Sequence, residues 1–296
     1  MTVNSQPNGS RSKELSSILV IAHPGHELRV HNWLETARPE VWVLTDGSGR
    51  TQNSRVDSTT RVLAGVGARP GSVYGQMRDV DLYEAVLSLR HDPFIQLVTQ
   101  LANALIERHI DFIAGDAEEG YNPAHDVCRL VINSAVELVE NKTGRQIVNY
   151  DFTLMGSPTS GPAGVLDNSL WFTLDDEAFS RKLAAARNYP ELEAEVEAAL
   201  NGTVNEVFRE DEVLSERVRS MFGVTDANTF RVECLRPVKV NSTSAKSLTG
   251  DTPFYEAYGE KQVRAGHYGQ VLRYRDHMLP LAAALHAHVE TNSGRT

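Results

Sequence analysis

The sequence predicts an α/β protein: a Rossmann-like, mostly parallel, doubly wound sheet with a C-terminal α+β elaboration. Three observations carry that prediction. Short runs of branched aliphatic residues empty into polar loops containing Gly and Pro, as in Ser17-Ile18-Leu19-Val20-Ile21-Ala22-His23-Pro24-Gly25, which is the pattern of strands buried on both faces. Segments with apolar residues at helical spacing lie between these runs, so that strand and helix alternate. The chain has 296 residues, 41% of them hydrophobic, enough for one large domain or one domain with an elaboration.

Taken in order, Met1 to Lys13 is polar and lacks the apolar core of a secretory signal, so it reads as a flexible tail. With no apolar run of membrane-spanning length, a cytoplasmic location is expected. Ser17–Ala22 is the first strand. Leu28 to Ala37 follows as a helix with Leu28, Val30, Trp33 and Leu34 inward, and Glu40–Leu44 returns as the second strand. Ser54–Ala64 reads as a helix, Ser72–Gly75 as a short edge strand, and Arg78-Asp79-Val80-Asp81 as a loop able to hold substrate hydroxyls, although a surface ion pair between Arg78 and Asp79 explains it equally well. Phe94–Arg108 is the clearest helix, with Ile95, Val98, Leu101, Leu105 and Ile106 in register. It delivers the chain to the strand before Asp116. Asp126–Glu140 is another amphipathic helix, and Ile147–Tyr150 the next strand.

Beyond Tyr150 the character changes. Met155–Gly164 is a Gly-, Ser- and Pro-rich loop over the mouth of the crevice, Ser169–Leu174 a strand, and a helix starts near Asp175. Glu191–Arg219 is acidic and helical with a partial apolar stripe, a solvated or oligomer-facing helix that leaves a homo-oligomer open. From Phe254 to Leu285, Tyr255, Tyr258, Tyr268, Arg273, Tyr274 and Arg275 are mixed with His267 and His277; packing is favoured there over a sugar or anion platform, and the two histidines stay unassigned.

Chemistry concentrates where the strands end. His23 and His26 are two residues apart around Gly25, which lets the backbone fold so that both imidazoles face one point. A second strand end, in Asp111–Asp126, carries His125. Parallel strands open on the same edge, so His125 can meet His23 and His26 across the crevice, and three neutral imidazoles with an open position form a catalytic-zinc arrangement. A hydrogen-bonded turn is the alternative for each histidine.

Ala22-His23-Pro24-Gly25-His26-Glu27 resembles the Ala-His-Pro-Asp-Asp-Glu motif of the PIG-L or LmbE-like metal-dependent deacetylases, which remove N-acyl groups from aminosugars and related small molecules. Asn122-Pro123-Ala124-His125 is similar to their His-Pro-Asp-His motif. The resemblance covers roughly the first half of the chain. It implies one zinc per chain held by His23, His26 and His125, with His26 in the place of a carboxylate. It implies an oxyanion-stabilising position at Asn122, and a general base at the position that is Gly25 here. It further implies a pocket rim at Asp46, a contribution from Arg55 at the start of the next helix, and a substrate loop at Arg78 and Asp79. Arg181-Lys182-Leu183 and Tyr189 loosely match a Lys-rich helix and following Tyr of the family.

With Gly25 in the base position, the nearby carboxylates Glu27, Asp116, Glu118, Glu119 and Asp126 become the proton acceptors to weigh. Glu119 comes first because its loop leads directly to His125. Asp126 reads equally as a carboxylate orienting an imidazole, and Glu27 as a charge in the first turn of its helix. The expected organisation is a tail at residues 1–14, a Rossmann-like metal-binding core at 15–174 and an elaboration packed on it at 175–296. The expected function is a zinc-dependent hydrolase acting on an N-acylated sugar or glycosylated metabolite. The alternative is a metalloprotein with lost or altered catalysis that binds or regulates.

Composition narrows the partners. With 39 acidic against 29 basic residues and no cationic cluster, nucleic acid is not expected, nor is a membrane. Asp46–Arg50 and Gly65-Val66-Gly67 complete no Gly-x-Gly-x-x-Gly fingerprint, which argues against a dinucleotide site. Cys128 and Cys234 lie far apart and read as buried thiols.

Overall fold

A computed structural model describes residues 16–49, 52–160, 163–202, 211–223, 226–238 and 252–293. The flexible tail expected over Met1 to Lys13 lies outside these residues, as do Arg50, Thr203, Val204 and Val207.

The first strand, β1 (Ser17–Ile21), is buried along its whole length. Its side chains alternate between two cores: Ile18 and Val20 join one, Leu19 and Ile21 the other. This is the consequence of a continuous aliphatic run placed in mid-sheet. A short 3-10 helix (His26–Val30) and α1 (His31–Ala37) replace the single helix expected from Leu28. Then come β2 (Glu40–Thr45), α2 (Val56–Val66) and β3 (Arg69–Met77), which is longer than the Ser72–Gly75 strand read from the sequence.

The stretch read as an Arg78–Asp81 loop is the start of a helix, α3 (Asp79–Leu87). Two acidic residues in its first turn favour a helix N-terminus, which was hidden by reading them as pocket residues. Next are α4 (Asp92–Glu107), β4 (Phe112–Asp116), α5 (Pro123–Thr143) and β5 (Val148–Phe152). α5 is defined at both ends: Asn122 caps it by accepting the Ala124 N–H at 2.9 Å, and Gly144 closes it at φ 71°.

The C-terminal part consists of α6 (Ala163–Leu166), β6 (Leu170–Thr173), α7 (Asp176–Arg187), α8 (Glu193–Leu200), α9 (Glu212–Phe222), β7 (Val232–Pro237), α10 (Phe254–Arg264) and α11 (Leu279–Asn292). The single helical stretch expected over Glu191–Arg219 is thus seen as two helices, α8 and α9, with residues 203–210 outside the described set.

The seven strands are ordered β3-β2-β1-β4-β5-β7-β6. β3 to β5 are parallel, whereas β7 runs antiparallel to both β5 and β6. The fold is the doubly wound, mostly parallel α/β sheet expected. One core includes Phe94, Val98, Val131, Leu281 and Leu285; the other holds Trp33, Leu34, Leu63 and Val66. Strand order reverses between β1 and β4, so the loops after these strands flank the crevice where such sheets bind ligands. His23 and His26 follow β1, and His125 follows β4.

Candidate metal centre

Gly25 shapes the first loop. Its φ of 106° lies in the left-handed region, and its N–H donates to Glu27 Oε2 at 2.7 Å. The second loop ends at the first turn of α5, which carries His125. The three rings meet: centroids lie 5.3 Å apart for His23 and His26, 5.4 Å for His23 and His125, and 4.6 Å for His26 and His125. Three imidazoles sharing one tetrahedral ion would stand roughly 5 Å apart by this measure.

Hydrogen bonds orient two of the rings. Thr45 Oγ1 donates to Ala22 O at 3.0 Å, which leaves it accepting from His23 Nδ1 at 2.8 Å. His23 Nδ1 also lies 3.0 Å from Asp79 Oδ1. Both contacts place the proton on Nδ1 and leave Nε2 bare, and this buried Nε2 has no hydrogen-bond partner among the described residues. His26 Nδ1 donates to Asp116 Oδ2 at 2.9 Å, and the same oxygen accepts the Ala22 N–H at 2.7 Å. His125 Nδ1 is likewise buried and unpartnered among the described residues.

Burial lowers the pKa of His26 against the opposing pull of Asp116, and burial together with the neighbouring His26 and His23 holds His125 well below the usual imidazole range. Burial opposes ionisation of Asp79, but the His23 ring and the Gly49 N–H outweigh it and hold that carboxyl well below the usual range. Neutral imidazoles with bare nitrogens, backed by carboxylates, are chemically suited to a divalent transition metal. The donors have not converged on one point: among the described residues no group of three or more His, Cys, Asp or Glu is arranged to hold an ion.

The other expected site residues divide sharply. The carboxylates orienting imidazoles are Asp79 and Asp116, whereas Asp126 accepts the N–H groups of Glu119 and Gly120 through Oδ1 at 3.1 and 3.2 Å. Burial, then Glu118, raises the Asp126 pKa well above the usual range. Glu119 accepts the Leu154 and Met155 N–H groups, and Glu27 bonds Gly25 and Thr59, so each has both carboxylate oxygens engaged. Burial raises both to about 7. Asp46 Oδ1 accepts from Ser48 N and Oγ and from Asp79 N, which makes Asp46 a turn carboxylate that ties β2 to α3. Arg78 is exposed and paired with Asp81, while Asp79 points inward. Arg55 packs its side chain toward Gly47, and its carbonyl accepts from Tyr189. Asn122 Oδ1 is occupied by Ala124 N and by the Tyr83 hydroxyl at 2.9 Å.

His267 bonds Gln262, and His277 Nδ1 accepts from Arg273 N. These contacts keep both histidines within their own stretch of chain. Thr45, which bonds the His23 ring, was not among the expected site residues. The position of Thr45, last in β2 and two strand ends from Asp116, is the signal that could have found it.

No protein-family model matches the chain, and no curated protein matches it. Among solved structures, similarity is found to the zinc-inhibited form of teicoplanin deacetylase Orf2, at 12% identity and TM-score 0.43 over 75% of this chain and 97% of that one. It is also found to A40926 pseudoaglycone deacetylase Dbv21, at 16% identity and TM-score 0.44 over 78% and 99%. Likeness at this level carries no argument about activity.

Proposed function

We propose that the chain is a metal-dependent hydrolase, with zinc the preferred ion, that removes an N-acyl group from an aminosugar or a glycosylated small metabolite. The observation that carries this reading is the meeting of His23, His26 and His125 with two buried imidazole nitrogens that have no hydrogen-bond partner among the described residues. When bound, zinc supplies Lewis-acid polarisation of an amide carbonyl and acidifies water. His23 and His26 hold their orientation through Asp79, Thr45 and Asp116. A proton acceptor is then needed that can return the proton to the leaving amine. Asp116 fits this role better than Glu119 or Glu27: its Oδ1 is the one buried carboxylate oxygen without a hydrogen-bond partner among the described residues.

One observation favours the second reading, a metalloprotein with altered catalysis. Gly25, at the position of the expected base, carries no side chain, its φ of 106° strains any other residue, and a Cβ there would push against the end of the Leu192 side chain. Metal content of the purified protein and of His26→Ala and His125→Ala, with amine release from a panel of N-acetylaminosugars, separates the readings. About one zinc per chain, lost in both variants, with metal-dependent release supports the hydrolase. Binding without release supports altered catalysis. No binding at all overturns both.

A further inference from the structure

The turn that follows β5 is gripped from two sides. Arg29, three residues beyond His26, donates Nε to Thr153 O at 3.0 Å and Nη2 to Gly156 O at 2.8 Å. Glu119, on the loop leading to His125, accepts the Leu154 N–H at 3.1 Å and the Met155 N–H at 3.3 Å. A cation therefore takes the carbonyls and an anion takes the amides of four consecutive residues. The two side chains come from the two loops that carry the histidines. Charge-assisted bonds of this kind are the strong ones, and both side chains are half-buried. The N-terminal side of the turn is fixed by β5, where the Phe152 carbonyl accepts the Ala117 N–H. Further along, Arg236 donates to Ser160 O.

We propose that Glu119 and Arg29 are positioning residues that clasp the 153–156 turn between the two histidine loops and so fix where it stands at the mouth of the crevice. Its consequence for turnover rests on the hydrolase reading; the clasp itself does not. Glu119 is faced by Arg29 from the 3-10 segment, Arg236 from β7, Asp126 from α5, and Tyr121 on its own loop. Burial raises its pKa to about 7, while the two accepted N–H groups and the arginines favour the anion. A carboxyl that holds its proton to about pH 7 in the clasp but releases it near 4.5 when free makes the clasp loosen as pH rises between those values.

Amide hydrogen exchange on the full chain, corrected for intrinsic rates, tests this without metal or substrate. In the wild type, protection of Leu154 and Met155 should fall between about pH 4.5 and about pH 7. In Glu119→Gln that fall should vanish, and Arg29→Lys, which loses one of two bonds to the turn, should accelerate exchange of the same amides about tenfold. Zinc affinity of Glu119→Gln should match the wild type. Unchanged exchange in Glu119→Gln, or a flat wild-type profile, overturns the clasp. So does loss of amine release with exchange unaltered, which would return Glu119 to the chemistry. The wild-type profile needs no variant, so the test survives if Glu119→Gln fails to fold.

Discussion

His23 and Asp79, 56 positions apart in the chain, share a 3.0 Å contact that leaves the far nitrogen of the imidazole bare and buried. A carboxylate behind a histidine fixes its tautomer and strengthens it as a ligand. Asp79→Asn is therefore expected to weaken zinc binding about 10- to 100-fold while the fold is retained. Competition titration with a chelator measures the affinity, and far-UV circular dichroism monitors the fold. Undiminished affinity would remove Asp79 from the site.

Gly25 combines a φ of 106° with a neighbour, Leu192, that fills the space a side chain would take. Gly25→Ala should cost about 2–4 kcal/mol, from the left-handed backbone and overpacking together. Trimming the obstacle in Gly25→Ala/Leu192→Ala should recover part of the overpacking component as a coupling between the two sites. Urea unfolding of the four proteins gives the cycle, and strict additivity would show that Leu192 is not the obstacle.

In the metal-free chain Glu27 should contribute a loss of stability as pH rises from about 4.5 to about 7, opposed by the gain from His26 and His125, whose lowered pKa acts in the other sense. Glu27 is fully buried, and burial raises its pKa from 4.5 to about 7, so the folded state holds a proton that the unfolded chain has released. The loss develops between those two values and is complete above the folded one, about 3 kcal/mol for this group. Glu119 shifts the same way. Glu27→Gln should turn the slope in urea titrations towards rising stability with pH across that range; a slope unchanged by the substitution would point elsewhere.

Lys182 and Glu233 form a buried pair at 2.8 Å, and Glu233 also accepts the N–H groups of Asn32 and Trp33 at 2.9 and 3.0 Å. Lys182 Nζ further donates to the Arg29 carbonyl, so this pair joins α7 and β7 to the segment following His26. Removing one partner strands the other charge. Lys182→Met should cost about 3–5 kcal/mol, and Lys182→Met/Glu233→Gln should cost less than the sum of the single changes. Thermal and urea unfolding decide it.

Local pattern was a sound guide to the scaffold. The aliphatic run at Ile18–Ile21, the helical register of Val98, Leu101 and Leu105, and the Asn-Pro start of α5 are each set by neighbouring residues, which is why the alternation of strand and helix and the two histidine loops were legible. Pattern misled where one residue type serves two ends. Asp79 and Asp81 open α3 as well as lining a loop, and β7 was not recognised because it pairs antiparallel with strands far away in the chain.

The sequence by itself therefore determined that a doubly wound sheet would bring His23, His26 and His125 to one edge, because strand burial and helix periodicity are local. Only the tertiary structure decided which carboxylate serves which group. Asp116 meets His26 across 90 positions, Glu119 is committed to the turn after β5, and Leu192 closes the space beside Gly25. Hydrogen bonds and van der Waals exclusion act over a few ångströms, and no spacing along the chain encodes which distant side chains will come that close.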